Sequence, residues 1–560
     1  MESPFDAIIL GTSLTESILA AALSKAGFKV AHIDVNKWYG GDEASLSLDE
    51  LVQWAEQART SHSQRYTHVH VHTTLLPETS QRDSRFYALS LCPSIIPSVG
   101  PTIASLVSSG VARYGGYKLV DHISVYDASS TPPSFKSVPC RREDVFKNAE
   151  ISLVEKRRIM RFLTFAASEE EPPPLLDPNA DAEEDLLQFI QTKFSVSGPT
   201  AAAIGYALAF CTSPSDHVRP ALARLRRYIR SSGRYGPSPF LIGQYGGTGE
   251  IAQGFCRAAA VHGAVYILGR KVLSVSGPPE AGAKGEDGGL LYTVVVQDVP
   301  EPLKCKLLIA SPHMAEYLSS SSSLSRFDPP MLIPNSGYEE AHSVARCIAI
   351  VDFPLLPPAS QSPPPPPAPP PAGEEDPEGG GQGTPAAAPP ALRPQDQEQD
   401  TIIYSFPPSS LPFGIGSSTH VFLLRRENRE TLAPSWNPIS PRPCLSLLLL
   451  LHHPPPTPSD TGVLPPDTER SPLFMTFYIE HPYKYAPPPR TSFTSTRRCA
   501  YIVTPPVCTD RLPESPDLAA EHAERVFREA VAVLRTHAAE EVPMWPIEAE
   551  QNDEEEEDEW

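Results

Sequence analysis

Apolar residues at the start of the chain fall into two short blocks separated by a helical pattern. Ala7-Ile8-Ile9-Leu10 is an unbroken apolar run that predicts a buried strand. Leu14, Ile18 and Ala22, with Leu19 and Leu23 beside them, predict an apolar helix face, and Gly27 stands where a helix C-terminal cap is expected. Phe28 to Ile33 predicts a second strand, closed by Asp34. The result is a βαβ unit of the dinucleotide-binding, Rossmann type, with Gly11-Thr12-Ser13-Leu14-Thr15-Glu16 in place of its G-x-G-x-x-G turn. Only Gly11 of the three glycines is present. Ser13 replaces the glycine that admits a pyrophosphate, and Glu16 replaces the one at the close helix–strand contact. An ionised Glu16 about 4 Å from a phosphate would be repelled by about 4 kcal/mol at an effective dielectric of about 20, at a helix end suited to anions. Asp34 lies where a ribose ligand is expected. The scaffold is that of a cofactor enzyme, and the turn predicts no cofactor and a binding function.

Further along, Phe86 to Val111 predicts short strands and a helix. Ser152 with Glu155 forms a capping-box signature ahead of a helix to Ala167, with apolar positions 159, 162, 163 and 166 on one face. Helices over 183–193, 199–212 and 219–231 follow without strands, which predicts a helical subdomain inserted into an α/β domain. Arg224, Arg226, Arg227 and Arg230 read as a solvated helix face. The pattern then turns mixed: a helix over 250–262 and strands near 264–268, 271–276, 290–297, 304–310, 401–406, 419–424 and 473–479. Ser515-Pro516 predicts an N-cap and first turn of a helix to about 537, with Ala523, Val526, Phe527, Ala530, Val533 and Leu534 inward.

Composition narrows the function class. The 560 residues suffice for two or three cores. The formal charge of −21 argues against nucleic acid as the main partner, and part of it is the acidic run Asp553 to Glu559, read as a solubilising tail. No apolar run approaches the roughly 20 residues of a membrane span, and neither a signal peptide nor a prenylation box is expected from the two ends. Nine scattered cysteines form no metal-like cluster and suit reduced thiols, so no metal is expected. Residues 354–400 hold 16 prolines in 47 positions and read as a disordered insertion; 436–472 reads as a second low-complexity insertion. No G-x-S-x-G elbow, P-loop or HExxH motif is present, so no catalytic residue is predicted.

Several segments carry a family resemblance in order: the spoiled turn, Asp34-Val35-Asn36-Lys37-Trp38-Tyr39-Gly40-Gly41, Val138-Pro139-Cys140-Arg141-Arg142-Glu143-Asp144-Val145-Phe146, Arg161-Phe162-Leu163-Thr164-Phe165, Gly233-Arg234-Tyr235-Gly236, and Gly249-Glu250-Ile251-Ala252-Gln253-Gly254-Phe255-Cys256-Arg257. The chain resembles the family of Rab GDP-dissociation inhibitors and Rab escort proteins. About 30 residues, Gln57 to Ser84, intervene after the Tyr39 region, and the last third carries large insertions, which is closer to the escort branch.

The resemblance implies a discontinuous FAD-binding-like α/β domain with mixed sheets (1–145, 232–353 and 401–510) that binds GDP-bound Rab GTPases without flavin. It implies a smaller all-helical domain (146–231) for the geranylgeranyl lipid on Rab and for the Rab geranylgeranyltransferase alpha/beta heterodimer. A C-terminal helix (511–545) and the tail (546–560) complete the chain. Residue by residue, it implies Rab contacts at Tyr39, Glu250, Arg257 and Tyr266, a mobile loop at Arg234 and Tyr235, and a prenyltransferase contact at Phe165. It also implies a cytoplasmic, non-catalytic protein with transient membrane contact. The five-residue turn 245–249 is one residue longer than the family's usual one. Two competing readings are a plain GDP-dissociation inhibitor recycling prenylated Rab and an FAD-dependent oxidoreductase.

Overall fold

A computed structural model of the chain describes residues 4–60, 65–74, 84–131, 133–139, 141–149, 151–168, 184–244, 247–277, 292–320, 343–350, 401–411, 416–424, 444–446, 472–481, 483, 501–507, 511–535 and 542–546. The expected insertion at 354–400, nearly all of 436–472, Tyr245, Gly246, Cys140 and the acidic run lie outside the described residues. The main strands in chain order are β1 (Phe5–Leu10), β2 (Val30–Asp34), β3 (Tyr66–Thr73), β4 (His122–Asp127), β5 (Ser134–Ser137), β6 (Phe240–Gly243), β7 (Val265–Leu268) and β8 (Val272–Ser276). They continue as β9 (Tyr292–Val296), β10 (Leu303–Ala310), β11 (Val344–Ile350), β12 (Thr401–Phe406), β13 (Thr419–Leu424), β14 (Cys444–Ser446), β15 (Phe474–Glu480) and β16 (Tyr501–Val503). The helices are α1 (Leu14–Lys25), α2 (Leu48–Thr60), α3 (Pro101–Ser109), α4 (Arg142–Lys147), α5 (Leu153–Ala166), α6 (Leu186–Phe194), α7 (Gly198–Ala202), α8 (Val218–Ser231), α9 (Thr248–Val261), α10 (Pro312–Ser320) and α11 (Glu514–Leu534).

The first sheet is built around β1. It runs β7-β2-β1-β10 in parallel; beyond β10, β9 and then β8 pair antiparallel, while β16 pairs parallel to the second half of β10. Alternation along β1 divides its side chains between two cores. Ala7 and Ile9 face α1, α9 and α11, whereas Ile8 and Leu10 face Val294, Leu308 and Met314. Helix α1 is covered on every side: all residues from Leu14 to Ser24 are buried, not one face alone. This is the Rossmann-type, mixed α/β architecture the pattern predicts.

The second sheet has the order β3-β15-β11-β14-β13-β12-β4-β5, antiparallel except for β12 on β4. Its outermost strand, β3, lies inside the Gln57–Ser84 insertion, and β14 lies inside the 436–472 stretch read as low complexity. The inserted segment and the stretch read as low complexity thus each contribute a strand. Residues 96–97, 117–119 and β6 form a small third sheet.

The helical layer differs from its expected outline in one place. The helix predicted over 199–212 is α7 followed by a π-helical turn, Ala203–Leu208. The wider turn frees the Tyr206 carbonyl, which accepts hydrogen bonds from Ser405 Oγ at 3.1 Å and His420 Nε2 at 2.8 Å. Ser152 caps α5 as expected, accepting from Glu155 N at 3.2 Å, and Phe162 is a core residue beside Phe189 and Phe194. Two of the α8 arginines are not simply solvated, although Arg230 is exposed. Arg224 lies 3.3 Å from Asp216 and 3.5 Å from Glu514, and Arg227 reaches Asp517 at 2.9 Å, so they bind α8 to the start of α11. Helix α11 itself begins at Glu514, so Pro516 sits deeper than the expected first position.

Ala523, Val526, Phe527 and Ala530 of α11 are buried in the same core as Ala7 and Ile9. Phe527→Ala is expected to destabilise the protein by about 3–5 kcal/mol, read as a lowered denaturation midpoint. A change confined to α11, with the rest melting unchanged, would contradict this shared core.

Candidate functional site

The phosphate turn is closed by its own neighbours. Thr12 donates to Asp34 Oδ2 from its N–H at 2.8 Å and from Oγ1 at 2.6 Å, so the expected ribose-binding carboxylate is already engaged. The loop after β2 folds back over the turn, and the Ser13 hydroxyl fills the space beside Gly41 that a Cβ would need. Glu43 then brings a carboxyl oxygen 3.2 Å from Leu14 N, at the α1 N-terminus where a phosphate would bind.

Glu16 is buried and accepts from Thr504 Oγ1, just beyond β16. Burial pushes it up to about 7 despite that hydrogen bond, and burial together with Asp42 and Glu16 pushes Glu43 up to about 8. Glu16 therefore does not present the full charge the sequence suggested. The obstacle to a dinucleotide is mainly volume: the cavity left among Ser13, Glu16, Glu43, Arg65 and Tyr483 measures about 20 Å³, against the roughly 300–1,000 Å³ of a cofactor site. A flavin does not fit these residues.

A chain of buried charges fills the groove. Arg346, 1% exposed, donates from Nε to Glu480 Oε2 at 2.6 Å; Glu480 also accepts from Arg65, and Arg65 stands 3.6 Å from Asp42. Tyr66 donates to Asp42 at 3.2 Å, and Tyr483 donates to its other oxygen. Burial alone would raise Asp42, but Arg65, His313 and the two tyrosines hold it below the ordinary carboxylate range. None of Arg65, Glu480 and Arg346 was singled out in the sequence. The alternating Tyr66-Thr67-His68-Val69-His70-Val71 run, which marks β3, was the available signal.

Four of the expected site residues come together outside this plug. The half-buried ring of Tyr39 meets Tyr266 edge-on at 5.9 Å, and Tyr266 Oη lies 3.2 Å from His32 Nδ1. Gly40, at φ +98°, faces Gly249 so closely that a Cβ on it would stand 3.2 Å from the Gly249 Cα, which sets Tyr39 beside the first turn of α9. Glu250 Oε1 accepts from Gly116 N at 3.3 Å, and exposed Arg257 lies over the Tyr114 ring at 4.8 Å. Glu250 and Arg257 share a face across two turns, as their spacing predicts. Tyr114 and Tyr117 are additions to this face; the Arg113-Tyr114-Gly115-Gly116-Tyr117 cluster was their signal.

Arg234 and Tyr235 occupy the exposed turn between α8 and β6, with the guanidinium 5.5 Å from its neighbour's ring. That turn abuts Leu119, at the far end of the strand that leads from Tyr117. Phe165 is elsewhere. It is half-buried in the helical layer, 5.8 Å from Phe189 and 5.2 Å from Phe194. Between that layer and the second sheet lies a cavity of about 650 Å³, walled by Val125, Val138, Val145, Ile159, Leu163 and Leu208. Among the described residues no group of three metal-ligating side chains converges, no helix is long and apolar enough to cross a membrane, and Cys92, Cys211, Cys256, Cys305 and Cys347 are buried free thiols.

The profile of the GDP dissociation inhibitor family matches residues 1–356. The chain is 31% identical over 283 residues to the Rab proteins geranylgeranyltransferase component A of Saccharomyces cerevisiae, covering 50% of this chain and 46% of that protein. It is 34% identical over 279 residues to the Drosophila melanogaster protein of the same name, covering 48% and 53%. The chain thus spans about half the length of the curated relatives it matches. A Rab GDI from Plasmodium falciparum shares the fold, with a TM-score of 0.58 at 18% identity over 94% of this chain and 97% of that one.

The raised Glu43 carboxyl has a signed consequence. Its folded-state value of about 8 exceeds the ordinary carboxyl value of 4.5, so its contribution is intact below about 4.5 and is lost as pH rises through about 8. Glu43→Gln, which keeps the acceptor for Leu14 N, is expected to melt at least about 2 °C higher than the parent at alkaline pH. The gap should shrink toward mildly acidic pH; a gap independent of pH would assign the loss to other groups.

Proposed function

The chain belongs to the GDP dissociation inhibitor family, and from that premise we propose that it is a Rab escort protein. It binds GDP-bound Rab through the face formed by Tyr39, Tyr266, Glu250 and Arg257, with the Arg234–Tyr235 turn as the adjoining mobile contact. The observation that carries this reading is that the loop bearing Tyr39 both closes the phosphate turn, with Gly40 N–H donating to the Thr12 carbonyl at 3.0 Å, and abuts Gly249 at the start of α9. The Rossmann-type scaffold there serves as a rigid frame for protein recognition. Mixed charge on the face suits orientation and specificity in a protein complex.

The helical layer serves the lipid. The 650 Å³ cavity between α5, the π turn and the β4–β5 hairpin accepts a geranylgeranyl chain, whose burial is worth about 0.8 kcal/mol per CH₂. The exposed edge of Phe165 meets the geranylgeranyltransferase heterodimer. The protein itself is non-catalytic: it presents the Rab tail to the transferase, keeps the lipidated product in solution in the cytoplasm, and hands it to membranes. The names of the yeast and fly relatives favour the escort role over a plain dissociation inhibitor, as does the Gln57–Ser84 insertion, which reinforces the Tyr39 loop through Arg65 and Tyr66.

The deciding measurement is geranylgeranylation of a purified Rab by the catalytic heterodimer with and without this protein. A rate that depends on its presence is expected, and equal rates would overturn the escort reading. Arg257→Glu is expected to weaken binding of unprenylated, GDP-bound Rab about tenfold, or about 1.4 kcal/mol, with an unchanged melting temperature. Binding restricted to prenylated Rab would instead identify a plain inhibitor.

A further inference from the structure

We propose that Tyr114 is a positioning residue for Rab recognition, its ring being the seat that holds the Arg257 guanidinium out toward the partner. The proposal rests on the reading of the Tyr39–Arg257 face as the Rab-binding face. Arg257 is exposed in the second half of α9, and its guanidinium carbon stands 4.8 Å from the centre of the Tyr114 ring. Among the described residues Arg257 forms no ion pair and no hydrogen bond, so the ring is what fixes it. Tyr114 is itself 42% exposed, so the pair lies at the surface, where a partner can reach it.

The chain on both sides of Tyr114 builds the seat. Gly110, at φ +81°, ends α3 in the left-handed conformation. In the single 3-10 turn that follows, Val111–Arg113, the buried Val111 packs on α9 at Gly254, where a Cβ would stand 3.0 Å from Val111 Cγ1. Tyr114 N donates to the Val111 carbonyl at 2.9 Å. Two residues on, Gly116 N donates to Glu250 Oε1 at 3.3 Å, and its carbonyl accepts from Gln244 N at 2.9 Å. The loop is thus fastened to α9 at Gly254 and at Glu250, about one and two turns before Arg257.

The chemistry of the pair explains what the seat contributes. A guanidinium over an aromatic face is attracted by the ring's quadrupole, and its in-plane N–H donors stay available to an acceptor on another molecule. An unseated arginine samples many rotamers, and ordering such a side chain at an interface opposes binding. Tyr114 removes part of that penalty before Rab arrives. Its effect on affinity is therefore exerted through Arg257, by preorganisation, and disappears when the cation is absent.

Two measurements on the full-length protein test this role. In the free protein with isotope-labelled arginine, the Arg257 side-chain resonances are expected to be shifted by the Tyr114 ring current; Tyr114→Leu should remove that shift and Tyr114→Phe keep it. The second measurement is the affinity for unprenylated, GDP-bound Rab. Tyr114→Leu, which keeps apolar bulk without a ring, is expected to weaken binding about fivefold, or about 1 kcal/mol, and Tyr114→Phe to stay within about twofold of the parent. In an Arg257→Ala background the same Tyr114→Leu change should cost less than about twofold, because no cation is left to seat. All variants should keep the parent's melting temperature. A Tyr114→Leu protein that binds Rab as the parent does, an equal loss with and without Arg257, or a missing ring-current shift would each overturn the proposal. If the parent itself fails to bind Rab·GDP, the Rab-face reading falls and this role with it, even where the ring-current shift shows that the pair is formed.

Discussion

The run of buried charges from Arg346 through Glu480 and Arg65 to Asp42 is the constraint on which the rest of the molecule depends. It joins β11, β15 and β3 of the second sheet to the loop that leaves the first sheet after Tyr39. Buried ion pairs contribute little net stability over apolar packing of the same volume, but removing one partner costs about 3–5 kcal/mol because the other is left uncompensated. Each member therefore holds the next in place. Asp42, Arg65 and Glu480 also line the small space left beside the phosphate turn, so the side chains that fix the loop help to fill the groove. The aromatic packing of Trp54, Tyr66 and Tyr478, with ring centroids 4.9–5.9 Å apart, walls this region on its apolar side.

Around the plug, carboxyl groups have been sorted into two states. Asp42 faces Arg65 and stays ionised, whereas Glu16 and Glu43 face apolar surroundings and one another and rise toward neutrality. Glu43 also supplies, from within the chain, the oxygen that the exposed N–H groups of α1 would otherwise seek from a phosphate. The helix end remains satisfied with no ligand. Strain that would accompany an empty anion site is thereby avoided.

Much of this was legible in the chain and some was not, for physical reasons. Strong local periodicity marked β1, α1, α5, α9, β12 and β13, the last two to the residue. Glu250 and Arg257 share one helix, as their spacing predicts, and the rings of Tyr39 and Tyr266 meet. What sequence could not show was which charges meet across the fold. Arg224 and Arg227 looked solvent-facing because their partners Glu514 and Asp517 are about 290 residues away. Glu16 looked like an open charge because Thr504, which covers it, is 488 residues distant. The short β14 was hidden by proline-rich neighbours, and the π turn is set by the hydrogen bonds that Tyr206 makes with β12 and β13 rather than by local propensity.

The pairing of β10 with β1 and with β16 also dictates when the molecule can be completed. Phe5 pairs with Cys305, and Leu308 with Tyr501, so the N-terminal unit lacks its inner neighbour for some 300 residues and that neighbour lacks β16 for nearly 200 more. At about 5–20 residues per second of synthesis, the last of these strands leaves the ribosome roughly 25–100 s after the first. Throughout that interval the apolar faces of β1 and α1 have no finished core to enter. A fold closed by strands so far apart in sequence is assembled only after translation is almost over, and its earliest segment is the one that waits longest for chaperone protection.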